Sequence, residues 1–408
     1  MFVLFDGYEC NMNQIKPSTA VDEKLQRWMR DIRRKLHQYP ELSFQEQKTS
    51  LFIQKKLKEL DVSYRNGWGG TGVIATLGEG EIHSGHVGLR ADMDALPVEE
   101  KNLVPYASKV KGVMHACGHD GHVAMLLGAI VLLKRYGCRS KVSCIFQPAE
   151  EHGNGADRII REGALDGGVQ VVFGGHIDTH FPTGVITVDE GVICSYADPF
   201  SIILRGRSGH AARPHEAKDS LVAGAYLVTG LQTLISRETD PNKAAVLTLG
   251  RFASGTAHNI IADEAVIAGT LRNSDSEVRD RLLAGLRRMT QSIGDQFDLQ
   301  ASIVFHDCLP AVINSTYSTQ IARQAALEVV GGDRVVSQGR PSLGAEDFAF
   351  YQQKVDGCLV RFGANSLSIN SPAHSGTFDF DENVLKVGAH WLARVAMDWT
   401  AVSELGKA

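Results

Sequence analysis

In the stretch His115-Ala116-Cys117-Gly118-His119-Asp120-Gly121-His122, one thiol and three imidazoles crowd together just ahead of a long apolar run. Cysteine thiolate and neutral histidine are preferred ligands of zinc and similar ions, and alternate spacing across Gly118 lets Cys117 and His119 converge on one centre. Packing accounts for one such residue but not for the cluster. Further along stand Glu150-Glu151 after Gln147-Pro148-Ala149, His176 after Gly174-Gly175, and His374 in Ala373-His374-Ser375-Gly376. Alone, the acidic pair reads as a solvated turn and His374 as a surface histidine; the constellation gives them weight. Cys117, His119, Glu151, His176 and His374 offer sulfur, nitrogen and oxygen donors in excess of the four positions of a structural zinc. Two ions sharing one ligand would use them all. Glu150 is then left beside a ligand, free to carry a proton. A Lewis acid, an acidified water and a proton-carrying carboxylate are the parts that metal-assisted hydrolysis needs.

The elements that must position these residues follow from periodicity. Leu25, Trp28, Met29, Ile32 and Leu36 recur at helical spacing before Tyr39-Pro40, and a second helix is expected from about Ser43 to Leu60. His37, at the end of the first helix, is expected to cap or pack. Gly67-Trp68-Gly69-Gly70-Thr71-Gly72 matches G-x-G-x-x-G, but a strand follows it rather than a helix, so no helix N-terminus can meet a pyrophosphate. Strands are expected at His86–Arg90, Val142–Phe146 and Val169–Phe173, with helices between them at Val123–Tyr136, capped by Asp120, and at Asp157–Glu162. This alternation predicts an α/β fold, a mostly parallel sheet flanked by helices. Ligands of such sheets bind beyond the carboxyl ends of the strands, where Asp92, Glu150, Glu151 and His176 are expected.

The rhythm then changes. Pro199–Arg205, Ser220–Arg237, Ala244–Phe252, Glu264–Arg272, Glu277–Phe297 and Leu299–His306 read as β-α-β-β-α-β, a ferredoxin-like split sandwich. Residues 196–305 are accordingly expected to form an inserted domain within a first domain made of 22–195 and 306–408, with 1–21 as a disordered arm. The last segment adds a helix over Ile321–Val330, a strand over Leu359–Phe362 and a helix capped by Asp381 and running to about Trp399.

Composition narrows the partners. With 408 residues, 43% hydrophobic and 22% charged, the chain has ample core for two domains, and a net charge of -5 points to neither nucleic acid nor an acidic membrane surface. The seven cysteines are scattered and odd in number, which fits the cytoplasm better than a disulfide framework.

Six segments occur together and in order: Asp92-Met93-Asp94-Ala95-Leu96-Pro97, the residue 115–122 cluster, Gln147-Pro148-Ala149-Glu150-Glu151, Ser208-Gly209-His210-Ala211-Ala212, Ala345-Glu346-Asp347-Phe348 and Ala373-His374-Ser375. In these the chain resembles the amidohydrolase branch, subfamily D, of peptidase family M20, which includes hippurate, N-acyl-amino-acid and auxin-conjugate hydrolases. The resemblance runs from about residue 22 to 398. It implies cleavage of the amide bond of N-acyl amino acids by a binuclear centre. The ligands would be Cys117, His119, Glu151, His176 and His374, with the thiolate bridging, Glu150 as general base and Asp92 orienting an imidazole. The ions would be zinc or manganese, with cobalt or nickel also suited to the donor set. By the same resemblance the inserted domain serves as lid and dimer surface. His210 would reach the partner subunit's site to stabilise the oxyanion, and Asn259 and Arg272 would hold the substrate carboxylate.

Three positions depart from the family pattern. His152 replaces a glycine after the acidic pair and is expected to set an imidazole against the metal or the acyl pocket. Asp178-Thr179-His180 replaces an apolar or Pro-containing segment, and Gly376 replaces a common proline. They bear on the acyl group. A dipeptidase, an N-acyl-diaminopimelate deacylase and a silent acyl-amino-acid binding protein are the competing readings, though no ligand or base is lost, as silence would require.

Overall fold

The central strands are apolar on both faces, which only a sheet covered on both sides can satisfy. The protein, a computed structural model describing residues 21–78, 85–152, 154–365 and 371–405, builds from them a sheet in the order Ser63–Trp68, Gly72–Leu77, Lys141–Gln147, His86–Asp92, Val171–Pro182, Asp356–Asn365, Ile186–Thr187, Val335–Val336. The four strands from Lys141–Gln147 to Asp356–Asn365 run parallel. Side chains alternate between faces along a strand: Val171 and Phe173 enter one core with Val87, Leu89 and Trp391, while Val172 enters the other with Ile145, Phe348 and Leu359. The N-terminal arm expected over 1–21 lies, through residue 20, outside the described residues.

On the first face the helix His119–Tyr136 is buried nearly all round and lies against the helices Glu23–Gln38 and Val384–Leu405. Gly128 allows the close crossing, since a Cβ there would stand 2.2 Å from Met29 Sδ and 2.9 Å from Ala389 Cβ. Among the described residues no helix is long and apolar enough to cross a membrane.

The segment from Tyr196 to Phe305 has a sheet of its own, ordered Ala245–Ser254, Glu264–Asn273, Tyr196–Arg205, Gln300–Phe305 and antiparallel throughout. The helices Ser220–Glu238 and Ser276–Phe297, capped by Asp219 and Asp275, close a separate core of Phe200, Ile202, Leu227, Leu231, Leu282 and Leu286. This is the ferredoxin-like arrangement.

Several local expectations need correction. The second helix starts at Gln47 rather than Ser43, because the preceding residues turn inward: Glu46 accepts from Thr71 Oγ1 at 2.7 Å and from the backbone N–H of Ala149 at 2.9 Å. The strand expected to stop at Phe173 continues to Pro182 alongside its long partner Asp356–Asn365, so His176 lies within a strand and not past its end. Asp120 is no cap; the N-cap is Gly118. Instead Asp120 accepts from Arg33 Nε at 3.0 Å and pairs with His37 Nδ1 at 2.7 Å, so His37 is a buried hydrogen-bonding group. Asp120, Asp379 and Glu382 all surround the fully buried Arg33 guanidinium. Stripping the cation from such a cluster strands buried anions, so Arg33→Met is expected to lower stability by about 3–5 kcal/mol, read from denaturant unfolding.

Candidate metal centre and substrate cleft

Gly118 takes a left-handed φ of 94°, a conformation without penalty only for glycine, and turns the chain between Cys117 and His119. The His119 ring is fixed by the backbone carbonyl of Asp94, which accepts from Nδ1 at 3.0 Å. His176 is fixed the same way: Nδ1 donates to the Ile177 carbonyl at 2.6 Å, and Nε2 stands 3.4 Å from Cys117 Sγ. Both rings thus present an Nε2 lone pair, the tautomer that a metal takes.

Glu150 and Glu151 sit on a turn after the strand Lys141–Gln147. Ala149 has φ 54°, strain that the surroundings must hold. The Asp94 carboxylate does much of this, accepting from the backbone N–H groups of Glu150 (3.0 Å) and Glu151 (3.1 Å) and from Ser43 Oγ (2.6 Å). His374, also left-handed at φ 64°, is tied by its backbone N–H to the Ala116 carbonyl at 2.7 Å, and its Nε2 stands 3.5 Å from Glu151 Oε1.

Donor atoms of Cys117, His119 and His176 fall within 4.8 Å of one another, as do those of Cys117, Glu151 and His374. The sulfur is common to both groups. His119 Nε2 and Glu151 Oε1 are buried without hydrogen-bond partners among the described residues and stand 3.8 Å apart. That is too far for a hydrogen bond, and each side chain offers a donor atom within 4.8 Å of the Cys117 sulfur. The electrostatics agree. Burial disfavours charge on His119, yet Asp92 and Asp94 raise its pKa well above the usual value, so its surroundings favour a positive charge. Burial, then Glu151, pushes the Cys117 thiol up; a cation is what would make it a thiolate. Burial, His122 and Arg361 hold His176 neutral. Two ions held by these five residues therefore fit the site.

Glu150 borders the same space, its Oε2 3.9 Å from His119 Nε2. Burial and, after it, the carboxylates of Glu346, Glu151 and Asp347 raise its pKa well above the ordinary range, which suits a group that must accept a proton and release it again.

His122 is excluded as a ligand because both ring nitrogens are engaged: Nδ1 donates to Asp92 Oδ1 at 2.6 Å and Nε2 accepts from the Ile177 N–H at 2.9 Å. Asp92 is shared with Arg90 at 2.6 Å. Arg90 also binds Asp347 and Gln147 at 2.7 and 2.8 Å, and Asp347 in turn holds the Ala156 N–H at 2.9 Å. Asp94, Gln147 and Asp347 lie inside segments that carry the family resemblance, but their types and spacing give them no individual role, and Arg90 reads only as a charge in an apolar strand. Asp94→Asn offers an NH₂ where two N–H groups and a hydroxyl need acceptors, and is expected to lower kcat/KM or metal affinity by about 10–100-fold, read by kinetics and metal titration.

The donors open onto a cleft of about 870 Å³ whose walls also include Arg272, Asp178, His180, Arg340 and Arg361. Arg272 donates to the Leu343 carbonyl at 3.1 Å. His210 and Asn259 are exposed and do not line it; they meet each other on the ribbon where His210 pairs with Ile260 and the Ala211 N–H donates to the Asn259 carbonyl. His152, expected against the metal or acyl pocket, is exposed and off the cleft wall. Gly376 sits where a Cβ would come within 2.4 Å of the Glu99 carbonyl, so this backbone has no room for the proline.

The family model for peptidase family M20/M25/M40 matches residues 88–398. An N-acetyl-L-cysteine deacetylase of Bacillus subtilis is 39% identical over 370 residues, 90% of this chain and 87% of that protein. The Arabidopsis thaliana protein named IAA-amino acid hydrolase ILR1-like 5 is 36% identical over 93% of this chain and 88% of its own length. A crystal structure from Bacillus subtilis, described as a dinuclear metal binding peptidase from the M20 family, superimposes with a TM-score of 0.81 at 34% identity, covering 94% of this chain and 99% of the other.

Proposed function

Because the chain belongs to peptidase family M20/M25/M40, we propose that it is a metal-dependent amidohydrolase that splits N-acyl amino acids, N-acetyl, N-benzoyl or related, into a carboxylic acid and a free amino acid. The carrying observation is the buried, unpartnered pair His119 Nε2 and Glu151 Oε1 beside a sulfur common to two donor groups, with the Glu150 carboxylate next to them. Cys117, His119, Glu151, His176 and His374 would hold two divalent ions, zinc or manganese before cobalt or nickel. When bound, these polarise the scissile carbonyl and acidify the attacking water. Glu150 takes the water's proton as the C–O bond forms and delivers it to the amide nitrogen as the C–N bond breaks. Asp94 and Ala149 keep its carboxylate in reach, and Arg272 receives the substrate's carboxylate from the lid side.

The working form would be a homodimer. In support, His210 and Asn259 lie off the cleft of their own chain, and the edge strand Ala245–Ser254 and the helix beside it expose Val246, Phe252, Leu221, Val222 and Tyr226. His210 would then act on the partner's substrate. Mixing His210→Ala with Glu150→Gln protein is expected to restore up to about a quarter of wild-type activity through hybrid dimers carrying one intact site; no recovery from subunits that do exchange would assign His210 elsewhere. The scattered, odd-numbered cysteines support a cytoplasmic home.

Metal-reconstituted protein assayed on N-acetyl and N-benzoyl amino acids and on dipeptides tests the activity. Release of amino acid from the acyl substrates is expected. Faster cleavage of dipeptides would make it a dipeptidase, and binding without turnover would overturn the catalytic reading.

A further inference from the structure

Beyond the metal donors, the floor of the cleft is the face of the central sheet. Side chains alternate along a strand, so His176, Asp178 and His180 rise from one face of Val171–Pro182. In the neighbouring parallel strand Arg361 is the ladder partner of His176. All four line the cleft. The cleft therefore carries charge on this strand pair, beside apolar lining from Ile177, Phe181 and Phe378.

The charges do not cancel in pairs. Glu150 and Glu151 belong to the chemistry. Glu346 is held by Arg90 at 3.0 Å. Asp178 accepts from the backbone N–H of His180 at 2.8 Å and from its ring at 2.7 Å. Asp178 and Glu346 act on Arg361 from a distance, but no carboxylate among the described residues is in ion-pair contact with it. Its guanidinium donates instead to the sulfur of Cys194 at 2.9 Å, a weak acceptor. Arg340, on the wall of the same cleft, also has no ion-pair partner among the described residues. Arg361 is thus a half-buried cation without an ion pair, and a carboxylate brought by a ligand would supply one.

We propose that Arg361 is a specificity-determining residue that receives a carboxylate carried by the acyl half of the substrate, so that the preferred acyl groups are those of dicarboxylic acids. The inference rests on the amidohydrolase reading above. The amino acid's own carboxylate already has a cation, Arg272, which reaches the cleft from the lid. Arg361 is rooted in the sheet, as the ladder partner of His176 one strand away, and so approaches the cleft from the metal donors' side. Guanidinium and carboxylate suit each other in a paired, two-bond contact.

Two substrates with one amino acid and four-carbon acyl groups decide the matter, N-succinyl with a terminal carboxylate and N-butanoyl without. In the metal-loaded full chain kcat/KM for the succinyl compound is expected to exceed that for the butanoyl compound by about 10–100-fold, the range of a hydrogen bond to a charged group. In Arg361→Gln the ratio is expected to collapse toward unity, through KM. A wild-type ratio at or below unity, or a ratio unmoved by Arg361→Gln, overturns the inference. Equal loss on both substrates assigns Arg361 to the amino acid's carboxylate and overturns it too. Calorimetric binding of free succinate against butanoate to wild-type protein needs neither a stable variant nor turnover; succinate is expected to bind more tightly, and equal affinity counts against Arg361. Hydrolysis of N-acetyl and N-benzoyl substrates without succinyl preference refutes this inference alone, whereas no hydrolysis of any acyl amino acid refutes the activity it rests on.

Discussion

Glu150→Gln is expected to lower kcat by about 10²–10⁴-fold while the protein keeps its full metal content. The two effects separate because the Glu150 side chain stands beside the donor groups, whereas its backbone is held independently by Asp94. Glutamine keeps the size and the backbone hydrogen bond but cannot take a proton. Elemental analysis of the purified variant beside its steady-state kinetics checks both halves. Activity within a few-fold of wild type would remove Glu150 from proton transfer, and loss of metal would move it among the ligands.

Cys117→Ala is expected to do the opposite, failing to bind a full complement of ions and losing activity for that reason. Its sulfur lies within 4.8 Å of the donors of His119 and His176 and of Glu151 and His374, so one substitution takes a ligand from both groups. The loss in affinity should exceed the roughly 10–100-fold that follows from removing an outer partner of a ligand, which makes Asp94→Asn its natural control. In the wild type a chelator should abolish activity and added divalent metal restore it. Active protein free of metal would refute the centre, and full occupancy in Cys117→Ala would deny the sulfur a bridging place.

Much of the fold was legible because it rests on local periodicity. The helix Glu23–Gln38 and the alternating apolar strands follow from the spacing of residues that must be buried, and the β-α-β-β-α-β order of the inserted segment follows from the same rule. Boundaries failed where a distant segment intervened. Glu46 leaves its helix to hold the Ala149 N–H, more than a hundred residues away. The strand through His176 runs on to Pro182 because Asp356–Asn365 accompanies it.

The site divides along the same line. Residue types and spacing marked Cys117, His119, Glu151, His176 and His374 as a candidate mixed donor set with Glu150 beside it, and folding brings their donor atoms together in two groups that share the Cys117 sulfur. Only the tertiary structure decided which atom of each faces the common space. The carbonyls of Asp94 and Ile177 select the Nε2 lone pairs of His119 and His176, and Asp92 with the Ile177 N–H takes His122 out of contention. It also withdrew His152 from the cleft and set Arg361 beside His176. The physical reason is range. Donor chemistry belongs to each residue and can be read one at a time, whereas the direction of a lone pair and the pairing of a buried charge are set by groups that only folding brings within hydrogen-bond distance.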